Sequence, residues 1–309
     1  MNILSTYVII KKCFVFQAGI GISANTFLLF FHLLTLLQND RSKFTDLISC
    51  HLSLFHILML LTAVAFLSPD MFESLNFQND LKCKAIFYIN IVMRGLSICT
   101  TCFLCVFQAI TISPSTSGLL KFKHTLRNNI TCIFFLFWCL NLSFSSYIII
   151  YTVAYSNVTQ ISLLHVSNYC SLSPMNSIIK RVFFTLTTSR DVFFVGVMLF
   201  SSAYMVILLF RHKRRSQHLH STSLFPRTSP EKRATQTILL LVSCFVVTYW
   251  VDLIIISSSI MLWTHDPVLM IVQKLVLNVY ATVCSFVQIG SDKRIINILK
   301  ICNRSDNKF

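Results

Sequence analysis

The chain has 309 residues, 55% of them hydrophobic and only 12% charged, with a mean hydropathy of +0.70. Soluble domains carry about a quarter charged residues, so this chain lacks the polar surface to cover a water-soluble globule, and most of it is expected to meet lipid. Its net charge of +15 falls between apolar blocks, which argues against the folded basic face that nucleic-acid binding needs and fits the pattern that orients a membrane protein.

Met1–Ile10 has no basic n-region, and the apolar run behind it is too long for a signal-peptide core, so that run reads as a first span, about Cys13–Leu37. Six more apolar segments follow, each near the roughly 20 residues that cross a ~30 Å hydrocarbon core. The second is about Thr45–Leu67, the third about Ala85–Ala109 and the fourth about Ile130–Tyr151. The fifth is about Asp191–Phe210, the sixth about Thr235–Ile260 and the seventh about Val268–Gly290, leaving 291–309 as a tail. Period-two alternation is absent, and isolated strands cannot satisfy their backbone in lipid. The expected fold is therefore an all-α membrane protein, a single seven-transmembrane helix bundle.

Direction follows from the basic residues. Seventeen Lys and Arg fall in the connections after the odd spans and the tail, against seven in the other set, which also carries Asp70, Glu73, Asp80 and Asp266. The positive-inside rule then puts the N-terminus outside and the tail in the cytoplasm of a multi-pass plasma-membrane protein. The sequon Asn157-Val158-Thr159 falls outside on that assignment, so Asn157 is the expected glycosylation site. Asn129 and Asn303 begin sequons on the inner side and Asn141 one within a span; these are expected unmodified. Of twelve cysteines, only Cys83 and Cys170 lie in outward segments clear of span interiors, and a Cys83–Cys170 disulfide is expected. Cys99-Thr-Thr-Cys102-Phe-Leu-Cys105 is spaced like a metal motif but lies mid-span without His or carboxylate partners, so packing is expected and no metal or cofactor is implied.

Particular stretches narrow the class. Gly21-Ile-Ser-Ala-Asn25 in span one, Thr45-Asp46-Leu-Ile-Ser-Cys-His51 in span two and Arg94-Gly-Leu-Ser-Ile-Cys-Thr-Thr-Cys102 in span three resemble vomeronasal type-1 receptors. So do Gln108-Ala-Ile-Thr-Ile-Ser-Pro114, Lys121-Phe-Lys123-His124, Ser229-Pro-Glu-Lys-Arg-Ala-Thr235 and Tyr249-Trp-Val-Asp252. The resemblance covers nearly the whole chain. It implies a pheromone-sensing G protein-coupled receptor that binds a small molecule outside and activates a heterotrimeric G protein of the Gi/o class inside. The Asp-Arg-Tyr and Asn-Pro-x-x-Tyr motifs of rhodopsin-like receptors are missing, where Gln108-Ala-Ile and Cys284-Ser-Phe-Val-Gln-Ile-Gly290 stand instead. The sodium site and ionic lock of that larger class are therefore not carried over.

Charges inside spans are expensive in lipid and face the bundle interior or water. Arg94, Asp252 and Lys274 all sit at the depth of a cavity opening outward, with Arg190 and Asp191 near the outer end of span five. One reading pairs Asp252 with Arg94 or Lys274 to fix packing. The other makes them polar anchors in an apolar pocket. Helical spacing puts Phe87, Asn90, Arg94 and Ser97 on one face of span three and Tyr249 with Asp252 on span six, and Gln273 and Lys274 complete the wall. Two bases against one acid there suggest an anionic or hydrogen-bond-accepting ligand. On the inner side, Lys121, Lys123, Arg214, Arg215, Lys232 and Arg233 form a basic surface. Topology and attraction to anionic membrane lipid explain its charge, and the resemblance implies G-protein contact. Cys302 is a candidate for palmitoylation.

Other classes fit less well. A bitter-taste-type receptor would share the architecture. A secondary transporter would show internal repeats and broken helices, and neither is found. An intramembrane Lys raises a retinal opsin, which the surrounding sequence does not resemble. Gly-rich phosphate loops, zinc motifs and Ser-His-Asp arrangements are missing, so no enzyme is expected.

Overall fold

A computed structural model of the chain describes residues 3–38, 44–67, 80–113, 119–154, 164–165, 170–172, 177–219, 230–262, 267–292 and 294–298. Nine helices and three short strands run in the order α1 (Ile3–Gln38), α2 (Phe44–Leu67), α3 (Asp80–Ile112), α4 (Leu119–Asn128), α5 (Ile130–Ser145), α6 (Tyr147–Tyr151), β1 (Thr152–Ala154), β2 (Leu164–His165), β3 (Cys170–Leu172), α7 (Ser177–Leu219), α8 (Pro230–Leu262) and α9 (Pro267–Ser291) among the described residues. Six of the helices are long and apolar enough to cross a membrane, and α8 adds a shorter apolar stretch, Gln236–Asp252.

Each apolar block read from sequence is helical, the fourth divided between α5 and α6, and most of the helices run past their blocks. α1 begins ten residues before Cys13 and carries Lys11 and Lys12; α3 likewise begins at Asp80 and includes Lys82 and Lys84. Hydropathy reports the part of a helix that meets lipid, whereas backbone hydrogen bonding continues into water at no cost. α7 departs furthest from expectation, extending from Ser177 to Leu219. Asp191 therefore lies fourteen residues from the start of α7, about 21 Å along its axis, and not near an outer end. The fourth span is interrupted at Ser146. Its N–H and its Oγ both donate to the Ser143 carbonyl, at 3.2 and 2.8 Å, a local competition that ends α5 and starts α6. α8 and α9 each open with proline, which needs no hydrogen bond for its missing N–H at the first helical position.

Two elements were not expected. α4 is a ten-residue basic helix, too short and polar to register as a span. The connection between α6 and α7 holds a small antiparallel sheet of order β1-β3-β2, with Ala154 opposite Cys170 and His165 opposite Ser171.

α3 is central, touching α2, α4, α5, α6, α7 and α8, while α1 packs against α2 and α9, and α8 against both α7 and α9. Phe14, Ala18, Asn25, Leu28 and His32 form the buried stripe of α1 with Gly21 among them, spaced alternately three and four residues apart. Gly21 is required there: a Cβ would stand 2.5 Å from Thr282 Oγ1 and 2.9 Å from Leu60. The outward faces are apolar as well, with Phe16, Phe30, Phe135, Phe193, Phe200 and Val247 exposed. So much outward-facing aromatic surface is a lipid-facing arrangement. Cys99, Cys102 and Cys105 are buried free thiols within α3.

Candidate ligand cavity

The middle of the bundle holds a small cavity of about 30 Å³ between α2, α3, α8 and α9. That is room for a water or two and far below the about 300–1,000 Å³ of small-molecule sites, so a ligand fits there only if the helices part. Met59, Ile98, Phe245 and Leu277 give it apolar walls, and Arg94, Ser97, Thr248, Tyr249 and Tyr280 supply polar groups.

Of the residues placed on the pocket faces from sequence, Arg94, Ser97 and Tyr249 line this cavity. Arg94 Nη2 donates to Asp252 Oδ2 at 2.7 Å, and Gln273 Nε2 donates to Asp252 Oδ1 at 2.8 Å. The Asp252 side chain is 2% exposed but that of Arg94 is 29% exposed, so the carboxylate is sequestered while the rest of the guanidinium faces the cavity. Asp252 and Gln273 hold Arg94 in place. A rigid cation with unused donors is suited to binding an acceptor oxygen.

Phe87, Asn90 and Lys274 go elsewhere. Asn90 Nδ2 donates to the Met59 carbonyl at 3.0 Å and to Thr62 Oγ1 at 2.8 Å, tying α3 to α2. Phe87 packs edge-on against Phe66, and Lys274 Nζ lies 4.9 Å from the centre of that same Phe66 ring. Phe87 and Asn90 do share a helical stripe with Arg94, but crossing helices give one stripe different neighbours along its length. The part nearer the start of α3 meets α2, and the part further along meets the cavity.

Sequence reading missed a buried polar chain beneath the cavity. His56 Nε2 hydrogen-bonds Ser97 Oγ at 2.8 Å and its Nδ1 lies 3.3 Å from Asn25 Oδ1. Asn25 Nδ2 donates to the carbonyls of Gly21 and Ala281, and the Thr101 and Tyr280 hydroxyls meet at 2.8 Å. Ser97 and Tyr280 belong to both the cavity wall and this chain. A second omission is Asn141 of α5, whose Oδ1 accepts from Arg190 Nη1 at 3.0 Å while Arg190 also pairs with Asp191 at 2.7 Å. Formal charge located Arg190 and Asp191, but neutral polar residues inside spans gave the same warning and were overlooked.

Gly95, next to Arg94, makes this packing possible, because a Cβ there would collide with Asn141 Oδ1 and touch Arg190 Nη1 at 3.0 Å. Gly95→Ala is expected to cost about 1–3 kcal/mol through overpacking, read as a lowered melting temperature of purified protein. An unchanged melting temperature would contradict the close approach of α3 and α5.

Of the basic residues proposed for the opposite end, Arg214 is exposed on α7 and Lys123 half-buried on α4. Lys121, Arg215, Lys232 and Arg233 are described for backbone alone, in α4, α7 and α8. Asn157 and Cys302 lie outside the described residues. Cys83 is fully buried beside Phe66 and is not among the free thiols, and Cys170 opens β3.

Comparison with known proteins gives a consistent set of relatives. The profile described as the vomeronasal organ pheromone receptor family matches residues 8–301. Vomeronasal type-1 receptor 94 of Rattus norvegicus is 41% identical over 299 residues, which is 96% of this chain and 91% of that receptor. Vomeronasal type-1 receptor A11 of Mus musculus is 42% identical over 297 residues, 96% of this chain and 93% of the relative. Vomeronasal type-1 receptor 48 of Mus musculus is 41% identical, covering 96% and 98%.

Proposed function

Since the chain belongs to the vomeronasal organ pheromone receptor family and is a multi-pass membrane receptor rather than an enzyme, we propose that it binds a small pheromone-like molecule in the α3–α8–α9 cavity and activates a heterotrimeric G protein of the Gi/o class. The Arg94–Asp252–Gln273 arrangement carries this reading, because it presents a fixed cation at the edge of an otherwise largely apolar chamber. The ligand docks on Arg94 and Tyr249. Ser97 and Tyr280 then link it to the buried chain that joins α1, α2, α3 and α9. A ligand shifts such a receptor only by fitting the active arrangement better than the resting one.

In this reading all seven long apolar helical units span the membrane, α8 included, with the N-terminus outside. Lys121, Lys123, Arg214, Arg215, Lys232 and Arg233 then meet the G protein and anionic lipid on the cytoplasmic side. The test is nucleotide exchange on a Gi/o-class G protein reconstituted with purified receptor, across volatile and steroid-like odorants. Ligand-driven exchange that Tyr249→Trp weakens is the expected result. Substrate accumulation without exchange would overturn the receptor mechanism in favour of transport.

Orientation and the outer loop give two further expectations. Asn157→Gln is expected to remove the N-linked glycan and sharpen the receptor band on a gel. A glycan retained by that variant but lost on changing Asn129 or Asn303 would invert the topology. A Cys83–Cys170 disulfide would fasten the β1–β3 ribbon to the outer end of α3, consistent with the position of Cys170 in β3 and the engaged state of Cys83. Cys83→Ser, Cys170→Ser and the double variant should then lose surface receptor to the same degree. Additive losses would show that the two thiols act separately.

A further inference from the structure

α4 and α5 form a nearly continuous helix, because Asn129 N–H donates to the Thr125 carbonyl at 3.1 Å and Ile133 N–H to the Asn129 carbonyl at 3.0 Å. Its inner side, through Leu126, Ile130, Phe134 and Phe137, packs on the core. Its outer side stays exposed along its length, but the chemistry changes along the way. Phe135, Leu136 and Cys139 are exposed and apolar, whereas His124, Arg127 and Asn128 are exposed and polar or basic. Arg127 and Phe135 are eight residues apart, about 12 Å along the axis. That matches the step from a lipid phosphate to the upper acyl chain.

Among the described residues no acid pairs with Arg127. The sequence has no Asp or Glu between Asp80 and Asp191. Asp46 and Asp292, the described acids where α9 ends and α2 begins, are both taken by Arg294. Charge complementarity and the lipid-facing stripe above it select one occupant.

We propose that the exposed face of α4–α5 is a binding site for one anionic phospholipid, its phosphate on Arg127 and an acyl chain along Cys132, Phe135 and Cys139. Arg127 is exposed one turn after the half-buried Lys123, so the site adjoins the basic surface assigned to the G protein. It depends on neither the pheromone nor the G protein.

Cys132 is an exposed free thiol one turn above Asn128 and reports on this face. The full-length receptor, with Cys13, Cys139 and Cys302 changed to alanine, would carry a bimane label on Cys132 in nanodiscs. Brominated phosphatidylglycerol and brominated phosphatidylcholine are compared as quenchers at equal mole fraction, and a Cys132→Ala version corrects for stray label. One cation at a membrane surface is expected to enrich the anionic lipid about five-fold, seen as stronger quenching by phosphatidylglycerol. Arg127→Ala should abolish the preference, Arg127→Lys should keep it, and 1 M salt should suppress it. Equal quenching by both lipids, or a preference that survives Arg127→Ala, would overturn the site. If Arg127→Ala does not fold, equal quenching by phosphatidylglycerol and phosphatidylcholine in the Arg127→Lys protein at low salt would overturn it as well.

Discussion

Replacing Asp252 with alanine is expected to strip most of the receptor from the cell surface and abolish ligand-evoked signalling in the remainder. The Asp252 carboxylate is buried and receives both Arg94 and Gln273. Its removal leaves a guanidinium inside an apolar bundle without its hydrogen-bonded counter-charge. Breaking a buried pair on one side costs about 3–5 kcal/mol, more than the same pair contributes over a well-packed apolar replacement. Asp252→Asn keeps the shape and one acceptor, so it should fall between alanine and the native residue. Arg94→Met with Asp252→Leu removes both charges together and should recover surface level while leaving the response absent. Surface labelling alongside calcium imaging separates folding from binding. An Asp252→Ala receptor with native surface level and dose-response would show that the pair serves neither.

An apolar helical bundle was legible because the cost of exposing backbone in lipid leaves few alternatives to a helix, and six of its helices are long and apolar enough to cross a membrane. The helix ends were not. Lys11 and Lys12 in α1, or Arg214 in α7, are helical although they fall outside the apolar blocks read from sequence. Charges inside spans identified Arg94 and Asp252 as important, but not Lys274 as the wrong partner. That choice depends on helix rotation and crossing, which place Lys274 over Phe66 and Gln273 on Asp252. The balance of two bases against one acid is revised in consequence. With Lys274 outside the cavity lining and Arg94 on Asp252, the cavity presents a compensated cation, not an excess of positive charge. Asn141, Asn25 and His56 were passed over because they carry no formal charge, yet each is buried and hydrogen-bonded between helices.

Asp46→Ala is expected to produce the second large loss, this time of thermal stability. Asp46 is third in α2 and buried, with His32 Nδ1 at 3.0 Å from one oxygen and Arg294 donating to both, at 2.7 and 3.3 Å. One carboxylate thus joins α1, α2 and the helical turn after α9. Hydrogen bonds to a charged group contribute about 1.5–3 kcal/mol each, and leaving buried partners unsatisfied costs comparably. Arg294→Ala should do less damage, because Arg294 is one-third exposed and Asp46 would keep His32. Asp292 makes the pH dependence specific. Burial alone would raise its carboxyl, but the side-chain and backbone hydrogen bonds from Arg294 outweigh that and hold it below its ordinary value. A carboxyl lowered on folding stabilises fully above its unfolded value and loses that contribution as pH falls through the folded one. The native protein should therefore lose the support of this turn only in acid, and Arg294→Ala should flatten that part of the melting-temperature profile. Equal losses from Asp46→Ala and Arg294→Ala, or an acid limb unchanged by Arg294→Ala, would mean that Arg294 and not the buried carboxylate organises this end of the bundle.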